Sequence, residues 1–135
     1  MDPIIEINRL SYAYPDGKQA LREISLCVEE GEKLALVGPN GAGTSTLLLH
    51  LNGILDGSGQ VQIGGLPVEK KFLKTIRSTV GLVFQHPDDQ LFSPTSYADV
   101  AYGPTYQGVD RQKIHELVEK ALCEVGIPEI ADRNP

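Results

Sequence analysis

Lys33-Leu34-Ala35-Leu36-Val37-Gly38-Pro39-Asn40-Gly41-Ala42-Gly43-Thr44-Ser45-Thr46-Leu47-Leu48 reads as a buried strand, a glycine-rich loop and a helix start. Leu34 to Val37 is a short apolar run of the kind that fills a parallel sheet. Gly38, Gly41 and Gly43 allow a tight loop and a close approach of backbone to ligand. The helix is expected from about Ser45 to Leu51, ended by Asn52-Gly53. Unpaired N–H groups at such a helix start, aligned with the helix dipole, attract anions. The stretch therefore predicts a phosphate cradle.

The phosphate-loop pattern G-x-x-x-x-G-K-[ST] is met at Gly38, Gly43 and Ser45, but Thr44 stands where the pattern has lysine. That lysine is a point charge on the β- and γ-phosphates. Two unit charges in contact interact by ~4 kcal/mol at an effective dielectric of about 20, before the cost of desolvating the ammonium. Thr44 offers one hydroxyl instead. The loop amides remain as anion donors, whereas catalysis by the loop as written is not expected.

Upstream, Ile4 to Leu10 is β-rich and alternating, and Ser11 to Tyr14 extends it to a turn at Pro15-Asp16-Gly17. Ala20-Leu21 leads into a second strand, Ile24 to Val28. Two antiparallel strands, a buried strand, a loop and a helix make a mixed α/β layout. Downstream, Gly57-Ser58-Gly59 reads as a turn, Gln60 to Ile63 as a strand, and Gly64-Gly65 as a tight turn into Leu66-Pro67-Val68. Lys70 to Ile76 reads as a short helix, with the nearby charges on a solvated face. Val80 to Phe84 is a second buried strand, ending at Gln85 and the loop from His86 to Pro94. A helix capped by Thr95 or Ser96 is expected to stop at Tyr102, before Gly103-Pro104. Asp110 caps a last helix whose stripe is Ile114, Leu117, Val118, Ala121, Leu122 and Val125, with Gly126 as C-cap.

The 135 residues suit one domain or part of a larger one. Twelve basic residues against 18 acidic ones give a net charge of -6, which argues against a nucleic-acid partner. No apolar run is long enough to span a bilayer, and Met1 to Glu6 lacks the form of a signal peptide, so a cytoplasmic chain is expected. Cys27 and Cys123 are expected to be reduced and buried. His50, His86 and His115 form no ligand pattern and read as structural or exposed.

Three segments carry a family resemblance. They are Gly38 to Thr46, the run Tyr12-Ala13-Tyr14-Pro15-Asp16-Gly17, and Gly81-Leu82-Val83-Phe84-Gln85-His86-Pro87-Asp88-Asp89-Gln90-Leu91-Phe92, continued by Asp99 to Pro104. With them the chain resembles the ATP-binding subunits of ABC transporters, and most of all the cobalt-import and energy-coupling-factor group. The first segment is similar to the family's Walker A apart from Thr44, the second to its adenine-stacking loop, and the third to its Q-loop. The third, with its Asp-Asp-Gln-Leu-Phe tail, is the most specific.

The resemblance implies an α/β P-loop NTPase core of the ABC type with a small N-terminal antiparallel β part. Residues 1–94 would hold the β part and the RecA-like core with P-loop and Q-loop, and 95–130 the start of a helical subdomain. It implies ATP and Mg²⁺ as ligands. Tyr14 would stack on adenine, and Gly38, Pro39, Asn40, Gly41, Ala42, Gly43, Thr44, Ser45 and Thr46 would surround the phosphates. Ser45 would coordinate Mg²⁺, and Gln85 would reach Mg²⁺ or the attacking water. It further implies a transmembrane transporter subunit on the Q-loop surface, a second ATPase subunit, and a place on the inner face of the cell membrane. The expected process is uptake of cobalt, another metal ion or a vitamin.

The signature Leu-Ser-Gly-Gly-Gln, a Walker B strand ending in Asp-Glu and a switch histidine do not occur in the sequence. With Thr44, this reads as an N-terminal portion without an intact catalytic set. The competing readings are a partner-docking module without turnover, or a decayed gene product, and an unrelated small P-loop kinase. The Tyr14 and Gln85 segments speak against the kinase.

Overall fold

Ile5 and Ile7 point to one side of a strand, and strict alternation would send Leu10 to the other side. In the computed structural model, which describes residues 3–135, Ile7 and Leu10 are both buried. The first two residues of the leader reading, Met1 and Asp2, lie outside those residues. β1 (Ile5–Ala13) and β2 (Gln19–Val28) pair antiparallel, with Ile5 opposite Val28 and Ile7 opposite Leu26. Between Ile7 and Leu10 the register shifts, and Arg9 and Glu23 take left-handed backbone at φ 47° and 45°. Such backbone costs an L-residue roughly 1–2 kcal/mol. It is held by two serines, whose hydroxyls accept from the freed amides: Arg9 N to Ser25 Oγ at 3.0 Å and Glu23 N to Ser11 Oγ at 2.7 Å. The bulge resets the pleat so that Leu10 rejoins the inner face.

The chain divides into two compact units, one ending at Leu82 and the other covering Val83–Pro135. The first holds a four-stranded antiparallel sheet in the order β2-β1-β3-β4, and two helices. α1 (Thr44–Leu51) follows the glycine loop, β3 (Ser58–Ile63) pairs with β1, β4 (Leu66–Pro67) forms the edge, and α2 (Leu73–Thr79) follows. Proline suits this edge because it has no N–H to give a further strand. Gly59 lies in β3, not in a turn, at φ 106°. A Cβ there would lie 2.5 Å from the Arg9 carbonyl oxygen, so the bulge in β1 requires a glycine beside it. Ile7, Leu10, Leu21 and Leu47 form the core, flanked by Ile5, Tyr12, Ile24, Leu26, Leu51 and Val61. Burying Leu47 contributes roughly 1.5–3 kcal/mol and fastens α1 to the sheet.

Neither of the two expected buried strands forms. Leu34 to Val37 is not a strand; residues 32–38 have no regular structure, and Val37 is 93% exposed. The run Val80 to Phe84, which crosses into the second unit, is not a strand either. A central parallel strand exists through hydrogen bonds to neighbours on both sides. The sheet ladders among the described residues involve β1 to β4 alone. The short helix also starts later than expected, at Leu73, because Pro67 to Phe72 closes in turns, with Glu69 N on Pro67 O and Phe72 N on Glu69 O, both at 2.8 Å. Cys27 is exposed rather than buried, since β2 turns Leu26 and Val28 inward and Cys27 outward.

In the second unit, a 3₁₀ turn (Pro87–Gln90) precedes α3 (Ser96–Tyr106) and α4 (Arg111–Glu124). Thr95 Oγ1 accepts from Ala98 N at 3.2 Å, and Asp110 Oδ1 from Gln112 N at 2.9 Å, as the cap signals require. Ile114, Val118 and Leu122 line the buried face of α4 against Ala101 of α3, while Leu117 and Val125 of the same stripe are exposed. The end of α4 follows the expected form, with Gly126 N on Cys123 O at 3.0 Å and Ile127 N on Leu122 O at 2.9 Å. α3 does not stop at Tyr102; it runs through Gly103 and Pro104 to Tyr106. Proline removes the bond its own N–H would make to Val100 O, a loss of one bond in a helix that ends two residues later. The Thr105 hydroxyl donates to Ala101 O at 2.7 Å. A 3₁₀ turn (Pro128–Ile130) then brings the chain back to the start of α3, where Ser96 N donates to Arg133 O at 2.9 Å and Tyr97 N to Ala131 O at 2.8 Å. Cys123 is exposed on α4, against the expectation of burial. Among the described residues no helix is long and apolar enough to cross a membrane.

Candidate functional site

The glycine loop meets α1 at Gly43, whose φ of 97° only glycine adopts without strain. A Cβ there would stand 2.5 Å from the Ala20 carbonyl oxygen and 3.0 Å from Leu21 Cδ2. The loop is thus pressed against β2, which fixes where α1 starts. Ahead of it, Ala42 N donates to Pro39 O at 3.0 Å, closing a turn over Pro39, Asn40, Gly41 and Ala42. The first intrahelical bond runs from Leu47 N to Gly43 O at 2.8 Å. The amides of Thr44, Ser45 and Thr46 precede it, and no side chain caps this end. They form a set of donors on the positive end of the helix.

Ser45 is exposed, Thr44 half-buried and Thr46 buried. Ser45 is thus an exposed hydroxyl-bearing residue beside these amides, the chemistry a metal-bound polyphosphate would need. No cation from the loop fits beside it, since residue 44 carries a hydroxyl.

Thr46 turns inward. Its Oγ1 lies 2.9 Å from the Tyr14 hydroxyl oxygen. Tyr14 reaches it from the turn after β1, which is tightened by Gly17 N on Tyr14 O at 2.8 Å and Tyr14 N on Lys18 O at 2.9 Å. Two residues nominated by separate motifs, 32 positions apart, are therefore in direct contact. Gln85 belongs to the other compact unit, where it is exposed in the bend before the 3₁₀ turn.

Two side chains behind the loop stand apart from the nominated site residues, His50 as a structural histidine and Tyr12 as a neighbour of Tyr14 in its motif. His50, 2% exposed, places Nδ1 at 2.7 Å from Thr46 O; a carbonyl can only accept, so Nδ1 carries the hydrogen. Tyr12 packs edge-on against both Tyr14 and His50, with ring centroids 5.1 and 4.9 Å apart. The four-residue spacing of Thr46 and His50 put both on one face of the helix, but nothing in the sequence placed Tyr12 beside them.

A family model described as ABC transporter matches residues 21–135. The chain belongs to the ABC transporter family. Energy-coupling factor transporter ATP-binding proteins of two archaea are among the relatives of this ABC transporter chain. That of Methanothermobacter thermautotrophicus is 52% identical over 135 residues, covering 98% of this chain and 43% of its own length. That of Methanocaldococcus jannaschii is 47% identical over 135 residues, covering 98% and 48%. Among solved structures, cbiO1 from Clostridium perfringens, described as part of the ABC transporter complex cbiONQ, superposes with a TM-score of 0.84 at 37% identity, over 98% of this chain and 54% of that one. The chain spans about half the length of the curated relatives it matches. Its small antiparallel sheet with helices is the N-terminal part of an ABC-type ATPase domain.

Proposed function

We propose that this chain carries the adenine- and phosphate-binding part of a transport ATPase subunit of the energy-coupling-factor and cobalt-import group. In the whole subunit, ATP binding and hydrolysis would drive uptake of cobalt, another metal ion or a vitamin. The observation that carries this reading is the Tyr14–Thr46 contact, which ties the side chain proposed for adenine to the helix whose first amides are proposed for phosphate.

Tyr14 stacks on the base. The amides from Asn40 to Thr46 hold phosphate oxygens, while Gly38, Pro39, Gly41, Ala42 and Gly43 shape the loop around them. Ser45 Oγ would hold Mg²⁺, which would supply charge neutralisation when bound. Thr44 leaves the β/γ-phosphates without their lysine, so nucleotide binding is weak and this chain does not turn ATP over. A transmembrane subunit meets the surface around Gln85, a second ATPase subunit completes the assembly, and the whole lies on the inner face of the membrane.

Exposed aromatics in the second unit favour a second reading, docking without turnover. Phe92 and Tyr102 pack edge-on at 5.0 Å and are both exposed. Calorimetric titration with Mg²⁺–ATP tests the first reading. Thr44→Lys is expected to bind about tenfold more tightly than the natural chain, equivalent to ~1.4 kcal/mol. If neither protein binds at millimolar nucleotide, the first reading falls and docking remains.

A further inference from the structure

We infer that His50 and Tyr12 are positioning residues for base recognition, holding Tyr14 from behind through Thr46; this rests on the nucleotide reading above. The contacts close a circuit between β1 with its turn and α1. His50 Nδ1 donates to Thr46 O at 2.7 Å, Thr46 Oγ1 meets the Tyr14 hydroxyl at 2.9 Å, and Tyr12 packs edge-on against both Tyr14 and His50. Thr46 is the junction. Its amide belongs to the phosphate donors, its hydroxyl to Tyr14 and its carbonyl to His50. Its hydroxyl therefore holds the Tyr14 ring against the first turn of α1.

His50 is 2% exposed and lines a cavity with Leu10, Gly53 and Gly57, none of them in the phosphate loop, so any effect on nucleotide binding passes through its neighbours. Packing alone gives the imidazole no role. Its Nε2 is buried without a hydrogen-bond partner among the described residues, a cost that a leucine of similar volume would avoid. What leucine could not do is donate to Thr46 O or present a polar ring to Tyr12. Tyr14 is consequently held at its hydroxyl and at its ring before any base arrives. Fixing a side chain in advance removes part of the ordering cost of binding.

The test compares ATP with tripolyphosphate, which has the charges but no base, by calorimetric titration in Mg²⁺. His50→Leu is expected to weaken ATP roughly three- to tenfold, the range for one lost hydrogen bond, and to leave tripolyphosphate within about twofold. His50→Asn, whose Nδ2 can take the place of Nδ1, is expected to recover most of the loss. Equal losses for both ligands, or no loss for either, would overturn the inference. Should His50→Leu fail to fold, Tyr12→Leu carries the same comparison with the same expected split.

A ligand-free readout separates this inference from the nucleotide reading. In chain labelled with ¹³C-tyrosine, the Tyr14 ring signals are expected to move in His50→Leu and to stay in place in His50→Asn. If they are unmoved in His50→Leu, the positioning role is wrong whether or not ATP binds. If they move while the natural chain binds neither ligand, the positioning stands and the nucleotide reading fails.

Discussion

Arg77 on α2 donates from Nε to Asn52 O at 3.1 Å and from a terminal nitrogen to Gly53 O at 3.2 Å, so one helix closes the C-terminal end of another. The last carbonyls of a helix lack partners and carry the negative end of its dipole, and a guanidinium meets both needs. In the sequence this arginine was one of a group of charges assigned to a solvated face. The lysines of that group do remain exposed, but Arg77 has a fixed structural partner. Arg77→Ala is expected to lower the stability of the chain by ~1 kcal/mol, reduced from the value of a buried charged hydrogen bond because the side chain is exposed. Urea denaturation measures it, and an unchanged midpoint would mean that the two bonds contribute nothing.

Gly43 allows a sharper prediction. Gly43→Ala places a Cβ against the Ala20 carbonyl oxygen and forces an L-residue to φ 97°. The strain is of order 1–3 kcal/mol for the backbone alone, with the clash added. The substitution is expected to cost at least ~2 kcal/mol in urea denaturation. Gly41→Ala, also at positive φ but with open space around it, is expected to cost less. Equal costs at both positions would show that the close approach of the loop to β2 is not what holds it.

The contrast between legible and illegible parts follows from the range of the forces. The β1 turn and α4 were read closely because their signals are local: Pro15-Asp16-Gly17 for one, Asp110 and Gly126 for the other. Tyr14 and Thr46 were each nominated by a motif, but their contact depends on how β1 lies over α1, and no motif encodes that. Arg9 and Glu23 gave no sign of left-handed backbone; only the broken alternation between Ile7 and Leu10 hinted at a bulge. Pro104 was read as a stop because its position within the helix, which decides the cost, is not visible beforehand.

Val118 is wholly buried at the centre of the second unit, whereas Val125, just past the end of α4, is 68% exposed. Val118→Ala removes two methyl groups from a packed site and is expected to cost ~1–3 kcal/mol. Val125→Ala should change stability by less than about 0.5 kcal/mol. Thermal unfolding followed by circular dichroism compares them, and similar shifts for both would contradict the packing described.

The two cysteines supply a test that needs no substitution. Cys27 and Cys123 are both free and exposed. Ellman's reagent should therefore titrate both thiols in native buffer, at rates close to those in denaturant. A thiol that reacts only after unfolding would return that residue to the buried class expected from sequence.

The segments Leu34 to Val37 and Val80 to Phe84 carry the apolar, β-branched composition of inner strands yet form none. Composition states what a residue run tolerates; a strand also requires a partner for its amides, because each unpaired backbone group forgoes a bond it could make to water. Here the solvent is the partner, and Leu34, Val37 and Val83 stand exposed. Native-state hydrogen exchange should separate the two kinds of apolar run. Amides of Ile5, Ile7 and Leu26, inside the paired sheet, are expected to be protected by orders of magnitude, while those of Leu36, Val37 and Val83 exchange at close to the free-chain rate. Strong protection at Leu36 and Val83 would contradict the unpaired, exposed state of these runs.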